Sequence, residues 1–568
     1  MAAVALARGP DSVPSDHDAA ARGAPARLRI GVLADSLLQP RWAVDGLRKI
    51  VDSGVGDIVV IAEVGRPRDA GPLLWRAYCA IDTRLFGSSP DPLERTDLAA
   101  GLRQARLLRL PPEDCGPASV QAWISEIRAM DLDVLVALGA ETCEALESVA
   151  RYGVWRYCFG PDACESDALA AVREVAAGAP VTASGLRARL PGAEDRLIYQ
   201  SWSRTFPLSL ARTRHALLPK TGEFAYRALD ELRRSGPAWL KTRAPIRGEA
   251  PAEPGSIPGT AGMLWRMSLL GSRIARRVLQ KLACVDQWFL AYRFGGDSRW
   301  RGDLRQYVAL MPPKDRFWAD PFAIVRDGRY WIFFEELVFS RGRAHIAAIE
   351  VSPDGTRSRP VPVLERPYHL SYPFLIEQDG ELLMVPETAC NGSVEVYRCT
   401  RFPDQWTLER TLLEEVHFTD CTFHRADDYW WMFANGNVAG AEGADELHLF
   451  YADRLTGPWK PHRHNPVKSD VRGTRPAGRL FRRGPDLYRP AQIGVPLYGA
   501  GVSINRVLRL APDSYAEEEV ERVVPSHPPR LLGIHTLNRA GELSVIDGFF
   551  RRSRLHPDVL ESLDTHVF

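Results

Sequence analysis

The sequence contains no long hydrophobic run. None of its 568 residues falls in a stretch of the ~20 consecutive apolar residues that a membrane-spanning helix needs. The first 25 residues also have no apolar centre of the kind found in signal peptides. From these two absences we expect a cytoplasmic protein.

Neither sign of charge dominates, since 72 Lys and Arg stand against 71 Asp and Glu. A nucleic-acid partner is therefore not expected. The H-E-x-x-H, P-loop and G-x-G-x-x-G motifs are missing, which removes support for a metal ion or a nucleotide-binding loop. The nine Cys show no C-x-x-C spacing and are expected to be reduced and mostly buried. We predict no metal and no cofactor.

Residues 26–240 show strands alternating with helices. The runs 27–34, 57–64 and 133–138 are apolar throughout, and helical patterns such as 42–51 and 120–130 lie between them. Uniformly apolar strands separated by helices are typical of a parallel sheet covered on both faces. The sequence therefore predicts an α/β domain here, preceded by a disordered segment at 1–25.

A linker and a basic helix follow at 241–305. Residues 244–261 are rich in Pro and Gly, and residues 263–282 place an apolar stripe opposite four basic side chains. Such a helix packs on a neighbouring domain or lies on an anionic membrane. Both alternatives are open at this stage, the second as a peripheral membrane contact through 263–282.

The second half repeats short motifs that combine aromatic and polar residues. They stand before short, turn-bounded strands, at a spacing of about 50 residues, which is typical of a β-propeller. The motifs are F-W-A-D-P-F (317–322), S-Y-P-F-L (371–375), M-V-P-E-T (384–388), D-C-T-F-H (420–424), R-P-A-G-R (475–479), R-P-A-Q (489–492) and H-T-L-N (535–538). We predict five blades within residues 306–560, which makes the chain a multidomain protein with an all-β second half.

In the residue identities and the order of these motifs, residues 316–550 resemble the five-bladed propeller at the N-terminus of plant glucosamine inositolphosphorylceramide transferases. Bacterial proteins encoded near polysaccharide-biosynthesis genes carry a similar domain. More distantly, the motifs resemble propeller glycosidases of the arabinanase, invertase and levansucrase type. The resemblance implies a sugar, a sugar nucleotide or a glycan as the partner.

The first half resembles a formyltransferase fold through D-L-D-V-L-V-A-L-G-A (131–140), A-R-Y-G-V-W (150–155) and I-Y-Q-S-W-S-R-T (198–205). That resemblance implies a catalytic His shortly after G-V-W. Cys158 and Phe159 occupy the two positions concerned, and neither can act as a protonatable imidazole. We expect this half to be inactive as a formyltransferase.

Glycosidic chemistry commonly needs one ionised and one protonated carboxyl facing the same sugar. By resemblance, Asp320 takes the place of the base or nucleophile, and Asp420 that of the residue that orients the sugar. Glu387 and Glu335 are the candidate acids. The predicted catalytic residues are therefore Asp320, Glu387, Glu335 and Asp420, and the predicted substrate-binding residues are Trp318, Tyr372, Arg475, Arg489, Gln492 and His535.

Each of these residues also has a structural explanation. Asp320 precedes a proline and could simply form a turn, while Arg475 and Arg489 could tie blades together through carbonyl groups. Relatives commonly place an Asp directly after R-P-A-Q, where this chain has Ile493. By this comparison the site has one carboxylate fewer. A protein that binds glycans without catalysis therefore stays among the alternatives.

The predicted function is that of a carbohydrate-active protein of polysaccharide or glycolipid biosynthesis, whose propeller transfers or cleaves a glycosyl unit. One alternative is N-formylation of an amino sugar by the first half, which would use formyl-tetrahydrofolate. The other is a non-catalytic glycan-binding or scaffold protein.

Overall fold

The computed structural model describes residues 26–65, 71–111, 116–139, 144–160, 169–245, 259–295, 306–436, 445–525 and 531–554. Within these ranges the chain forms an α/β domain followed by a five-bladed β-propeller, which confirms the predicted fold class. The segment predicted to be disordered, 1–25, and most of the predicted linker lie outside the described residues.

The N-terminal domain contains ten strands and eight helices within the described residues. In chain order they are β1 (Leu28–Ala34), β2 (Leu38–Pro40), α1 (Arg41–Asp52), β3 (Gly56–Glu63), α2 (Leu73–Phe86), β4 (Arg95–Asp97), α3 (Leu98–Gly101), β5 (Arg106–Arg109), α4 (Gly116–Arg128), β6 (Val134–Leu138), α5 (Glu144–Glu147), β7 (Val154–Phe159), α6 (Val172–Ala177), β8 (Val181–Arg189), β9 (Arg196–Arg204), α7 (Leu210–Ser235), α8 (Ala238–Thr242) and β10 (Ala244–Pro245).

Eight of these strands form one sheet in the order β10-β9-β8-β7-β6-β1-β3-β5. The five strands from β7 to β5 run parallel, whereas β8, β9 and β10 are antiparallel to their neighbours. Strand β1, near the centre of the sheet, is buried on both faces, as its uniformly apolar sequence predicts. Ile30 packs in the core that contains α1 and α7, and Leu33 packs in the core that contains α4.

Helix α9 (Thr260–Ala283) connects the two domains. It matches the predicted helix at 263–282, with a few more residues at its N-terminal end. Among the described residues, no helix combines the length and hydropathy required to cross a bilayer.

The remaining strands build the propeller. In chain order they are β11 (Cys284–Phe294), β12 (Val308–Leu310), β13 (Arg316–Arg326), β14 (Arg329–Val338), β15 (Ala344–Val351), β16 (Val361–Leu364), β17 (Ser371–Gln378), β18 (Glu381–Glu387), β19 (Ser393–Arg401), β20 (Gln405–Glu414), β21 (Thr419–Ala426), β22 (Tyr429–Gly436), β23 (Glu446–Ala452), β24 (Lys460–Pro461), β25 (Lys468–Ser469), β26 (Phe481–Arg483), β27 (Asp486–Ile493), β28 (Gly501–Ala511), β29 (Ser514–Val523), β30 (Leu537–Ala540) and β31 (Leu543–Ser553). A one-turn 3₁₀ helix, Ala389–Asn391, lies between β18 and β19.

Four blades are consecutive in sequence, namely β13–β16, β17–β20, β21–β25 and β26–β29. Tight turns join the first two strands of several blades. In the first of them, Asp327 and Gly328 both adopt positive φ, of 51° and 72°. Asp-Gly favours such a turn because Gly carries no Cβ and Asp tolerates the left-handed region.

The fifth blade combines both ends of the propeller, in the order β12-β11-β31-β30. Strand β11 pairs with β31 along its whole length, from Cys284 opposite Ser553 to Phe294 opposite Leu543. The propeller therefore begins at residue 284, within the segment that the sequence analysis assigned to a linker and a helix.

The two domains share a polar interface. Lys220 of α7, which is buried, donates to Asp445 at 2.7 Å, and Arg227 donates to both carboxylate oxygens of Glu446 at 2.7 and 3.2 Å. The backbone N–H of Val471 donates to Trp202 of β9 at 2.9 Å. Strand β9 and helix α7 thus hold the third blade of the propeller directly.

Candidate active site

The inner strands of the first three blades start with the same backbone irregularity. The pairing with the second strand shifts at Ala319/Phe322, Ser371/Phe374 and Thr419/Thr422. Within each shift one residue has positive φ: Asp320 (51°), Tyr372 (45°) and Asp420 (52°). Positive φ is strained for most side chains and is found preferentially at functional sites, where surrounding contacts enforce it.

Each blade also presents one polar side chain opposite the start of its inner strand. Glu335, Glu387 and Asn435 pair there with Ala319, Ser371 and Thr419. In the last two blades Gln492 and Asp547 take this position. Their backbone N–H groups donate to the carbonyls of Arg475 and Thr536, which precede or begin the inner strands of those blades. Because inner strands surround the axis of a propeller, five separate sequence segments contribute to one axial cluster.

Asp320 is held by the fifth blade. Its N–H donates to Asp547 at 3.1 Å, and the Thr536 hydroxyl donates to its Oδ1 at 2.7 Å. The imidazole Nε2 of His535 lies 3.5 Å from the same oxygen, and Nδ1 of His535 contacts Asp547. Asp320, His535 and Asp547 are all buried. A single imidazole therefore bridges two buried carboxylates.

This arrangement shifts the pKa of both titrating partners. Burial lowers the pKa of His535, but the charges of Asp547 and Asp320 outweigh it and raise the pKa to about 9. Burial raises the pKa of Asp320, His535 opposes this, and the carboxylates of Asp420, Glu335 and Asp547 raise it again, to about 7. At neutral pH His535 is a cation, and Asp320 is close to its titration midpoint.

Asp420 is fixed by the fourth blade. Arg475 donates to both of its oxygens, through Nε to Oδ2 and through Nη2 to Oδ1 at 3.2 Å. The Gln492 amide donates to Oδ2 at 2.8 Å. The guanidinium of Arg475 also lies over the Tyr498 ring, 5.1 Å from its centroid. A forked Arg contact orients a carboxylate rigidly, so Asp420 has a defined position in the cluster.

Glu387 lies beside this pair. Its Oε2 is 3.6 Å from Nη2 of Arg475, and this buried oxygen has no hydrogen-bond partner among the described residues. Burial raises the pKa of Glu387, the charge of Asp420 raises it further, and Arg475 opposes both, with a net pKa well above the usual range for Glu. The raised pKa favours the protonated form of Glu387.

Glu335, the other candidate acid, has a different partner. Its Oε1 lies 3.2 Å from Nε2 of His369. Burial lowers the pKa of His369, but the hydrogen bond and the charge of Glu335 outweigh burial and raise it. Glu335 is paired with an imidazole, whereas Glu387 lies between Asp420 and Arg475 and has a strongly raised pKa, so Glu387 is the better candidate for the proton donor.

Three predicted substrate-binding residues are buried and form hydrogen bonds with other residues of the propeller. The Trp318 indole donates to Glu336 at 2.8 Å and packs in the core of the fifth and first blades. The Tyr372 hydroxyl contacts Thr422 and accepts from Gly478 N–H at 2.6 Å. These hydrogen bonds give both side chains a structural role, and their part in substrate binding stays a prediction.

Arg489 is the third of these residues. It is fully buried, forms an ion pair with Glu517 at 2.6 Å, and donates to the carbonyls of Gly473 and Thr474. We therefore assign Arg489 to the scaffold of the fourth blade, as its structural explanation anticipated.

Several members of the cluster were missed from sequence. Asp547 occupies in β31 the position that Glu335 and Glu387 occupy in their strands, so aligning the blades would have found it. Trp288, whose ring stacks on His535 at 4.1 Å between centroids, lies in the segment taken as linker and helix. Tyr498 contacts His535 edge-on, and no sequence pattern marks it.

Ile493 packs away from the carboxylates. It forms an apolar cluster with Val471 and Val495, against which Val181 of the N-terminal domain packs. Neighbouring residues of a strand point to opposite faces, and Gln492 points to Asp420. The Ile at this position therefore supports the contact between domains.

Asp320, His535 and Asp547 are also near enough to approach one cation, since one ligand atom from each lies within 4.8 Å of the others. In the present arrangement both imidazole nitrogens face carboxylates, and the pKa of about 9 keeps the ring protonated. A protonated imidazole does not ligate a metal. Binding of a cation would therefore require loss of that proton, and the absence of a metal stays a prediction.

In the N-terminal domain, Cys158 and Phe159 are buried at the end of β7. The resemblance to formyltransferases stays a prediction, and no imidazole occupies these two positions.

Fold and site together define the second half of the chain as a five-bladed β-propeller with an axial cluster of carboxyl groups, one of which has a strongly raised pKa. Residues 308–530 match the family model described as "Glucosamine inositolphosphorylceramide transferase 1, N-terminal". Glucosamine inositolphosphorylceramide transferase 1 of Oryza sativa subsp. japonica is 34% identical over 208 residues, which is 36% of this chain and 28% of that protein. The Arabidopsis thaliana protein of the same name is 31% identical over 207 residues, covering 36% and 27%.

The chain thus spans less than a third of the length of these curated relatives. Among solved structures, Zg3597, a family 117 glycoside hydrolase of Zobellia galactanivorans, covers 46% of this chain and 90% of its own at 15% identity, with a TM-score of 0.31.

Proposed function

We propose that the propeller carries out glycosyl chemistry at the axial cluster, transferring or cleaving a sugar unit. The observation that carries the proposal is the contrast between two neighbouring carboxyls. Burial and the charge of Asp420 raise the pKa of Glu387 well above its usual range, while the pKa of Asp320 is about 7 beside the His535 cation. Glycosidic bond chemistry requires such a pair, one carboxyl as acid and the other as base or nucleophile.

Glu387 is assigned as the general acid. It would donate its proton to the oxygen of the leaving group, and its Oε2 makes no competing hydrogen bond among the described residues. Asp420 raises the pKa of Glu387 and so keeps the proton in place until the reaction. The Arg475 fork holds Asp420 in position.

Asp320 is assigned as the base or nucleophile. Its carboxylate form is stabilised by the Thr536 hydroxyl and by His535. Asp547 fixes the backbone of both Asp320 and His535, so the reacting oxygen has a defined direction.

Transfer is preferred to hydrolysis because of the similarity to the curated relatives. These relatives are named glucosamine inositolphosphorylceramide transferases, and the matched region covers the blades that supply Asp320, Glu387 and Asp420. By this similarity the proposed donor is an activated amino sugar and the proposed acceptor a phosphate-containing lipid or polysaccharide precursor.

The test measures turnover of the full chain on a panel of nucleotide sugars, including amino sugars, and of para-nitrophenyl glycosides. We expect Asp320→Asn and Glu387→Gln each to lower kcat by a factor on the order of 10² to 10⁴, the usual contribution of a positioned acid or base. Sugar binding, measured by calorimetry, should persist in both variants.

Asp427→Asn is the matched control, because Asp427 is an Asp with the same positive φ, exposed at a blade hairpin. It should leave turnover unchanged. Full turnover in Asp320→Asn would contradict the assignment, and glycan binding by the wild type without turnover on any donor would favour a binding protein instead.

A further inference from the structure

Helix α9 carries charge of one sign only. Its sequence, T-A-G-M-L-W-R-M-S-L-L-G-S-R-I-A-R-R-V-L-Q-K-L-A, contains four Arg and one Lys and no acidic residue. Arg276, Arg277 and Lys281 are exposed, and none of the three has an acidic partner among the described residues. The second half of the helix therefore presents uncompensated positive charge to solvent.

The first half of α9 is attached to the N-terminal domain. Met263 is buried against α2 and α6, and Arg273 donates to the carbonyls of Val175 and Ala176 at 2.8 and 2.9 Å. Those carbonyls lie at the C-terminal end of α6, where backbone acceptors are left over. This contact fixes which side of α9 faces the protein.

The side of α9 next to this attachment is apolar and exposed. Leu264, Met267, Ile274, Val278 and Leu282 follow one another at intervals of three, seven, four and four residues, so they form one stripe along the helix. Exposure reaches 69% at Leu282, and Trp265 next to the stripe is 66% exposed. The sequence is compatible with packing on a domain and with membrane contact. In the structure only part of the apolar surface of α9 is packed.

The neighbouring helix α2 also exposes apolar residues. Leu73, Ile81 and Leu85 are exposed at helical spacing, and Phe86 follows them. The one acidic residue of α2, Asp82, is buried and accepts from Ala211 N–H. Hence the solvent-exposed charges of α2 are basic as well.

We propose that α9, with α2 beside it, docks on the surface of an anionic lipid bilayer. In the docked state α9 lies parallel to the membrane plane with its apolar stripe among the acyl chains, and Arg276, Arg277 and Lys281 contact lipid headgroups. Exposed apolar residues beside basic ones, without acidic residues, are the features that bind such interfaces. A second copy of this helix is a poorer partner, because it would bring two sets of uncompensated cations together.

The inference does not depend on the sugar site, and its test uses no sugar. Purified full-length chain is sedimented with vesicles of phosphatidylcholine alone or mixed with phosphatidylglycerol. We expect binding to the anionic vesicles only, with affinity that falls as salt shortens the range of the charges. Arg276→Gln/Arg277→Gln/Lys281→Gln should weaken binding on the order of a hundredfold, at about fivefold for each cation.

The apolar stripe is tested by Val278→Glu/Leu282→Glu, which should abolish sedimentation. Leu408→Glu/Leu508→Glu is the matched control, since both residues are similarly exposed on propeller strands, and it should bind like wild type. Analytical ultracentrifugation without lipid measures the competing outcome. A dimer that Val278→Glu/Leu282→Glu converts to monomer, or equal binding to neutral vesicles, would overturn the proposal.

Discussion

His535 lies at the centre of the charge network, and its surroundings explain why a buried cation is tolerated there. Both ring nitrogens face carboxylates, and the Trp288 ring stacks on one face of the imidazole. Burying a charge is costly unless it is paired and hydrogen-bonded. Asp547 also accepts from the backbone N–H groups of His535 and Thr536, so its own charge is compensated.

The stability of the protein should therefore fall as the pH rises from about 6.5 to about 9. The folded pKa of His535 is about 9, above the unfolded value of about 6.5. Its contribution, up to about 3 kcal/mol, is complete below the lower value and lost on passing through the higher one. The raised pKa of Asp320, about 7, acts in the same direction.

Urea unfolding at several pH values measures this decline. In His535→Gln the imidazole no longer titrates, so the total decline should become smaller, while loss of the cation raises the pKa of Asp320 further. The exposed His417 provides the control, since His417→Gln should keep the wild-type profile. A wild-type free energy of unfolding that stays level between pH ~6.5 and ~9 would contradict the proposed charge state.

Some site residues could be predicted from sequence and others could not, for a physical reason. Asp320, Asp420 and Glu387 stand in short motifs at the starts or ends of strands, where local pattern is informative. The structure brings them together with Arg475, Gln492 and His535. Trp288 contacts His535 because strand β11 pairs with β31, and Tyr498 contacts it from the loop between β27 and β28. Both positions depend on contacts that are distant in sequence.

At the scale of elements, the fourth blade is held by a buried ion pair. Arg489 of β27 and Glu517 of β29 are both nearly inaccessible, and Lys468 also donates to Glu517 at 2.7 Å. Burial raises the pKa of Glu517, but Arg489 and Lys468 outweigh it and lower the pKa to about 2. Glu517 thus contributes stability above pH ~4.5 that is lost as the pH falls through about 2.

Arg489→Met should lower the free energy of unfolding by about 3–5 kcal/mol at pH 7, because it leaves a buried carboxylate with one cation fewer. Chemical denaturation checks the value, and the difference from wild type should shrink toward pH ~2. The double variant Arg489→Met/Glu517→Leu should recover much of the loss. Arg506→Met is the control: its pair with Glu518 is exposed, so the variant should keep nearly the wild-type stability.

The elements themselves were predictable where local pattern determines them. Strands β1, β3 and β6 and helix α1 start and end within one or two residues of the predicted runs. Strand β11 was missed because its pairing partner lies at the other end of the propeller. Its sequence, C-V-D-Q-W-F-L-A-Y-R-F, also follows helix α9 directly, without a loop that marks where the strand begins.

At the scale of the whole molecule, the contact between the domains is charged and buried. Lys220 donates to Asp445 and also to Ser203, and both ionic partners are almost inaccessible. Such a pair is costly to break from one side because the remaining charge is uncompensated. The α/β domain and the propeller should therefore unfold together.

Lys220→Met should separate the two unfolding events, with a loss of about 3–5 kcal/mol in the first of them. Calorimetry would show two transitions in place of one. Lys220→Met/Asp445→Leu removes both charges and should restore most of the stability and the single transition. One unchanged transition in Lys220→Met would show that the ion pair does not couple the domains.

The closure of the ring by β11 and β31 has a consequence for synthesis on the ribosome. About 250 residues separate the two strands, and translation at roughly 5–20 residues per second makes β11 wait roughly 12 to 50 seconds for its partner. Throughout that interval the nascent strand has an unpaired edge, which is prone to pair with other chains. Helix α9 ends at the residue before β11, so early attachment of α9 to the finished α/β domain would keep this edge beside a folded surface until the last blade is made.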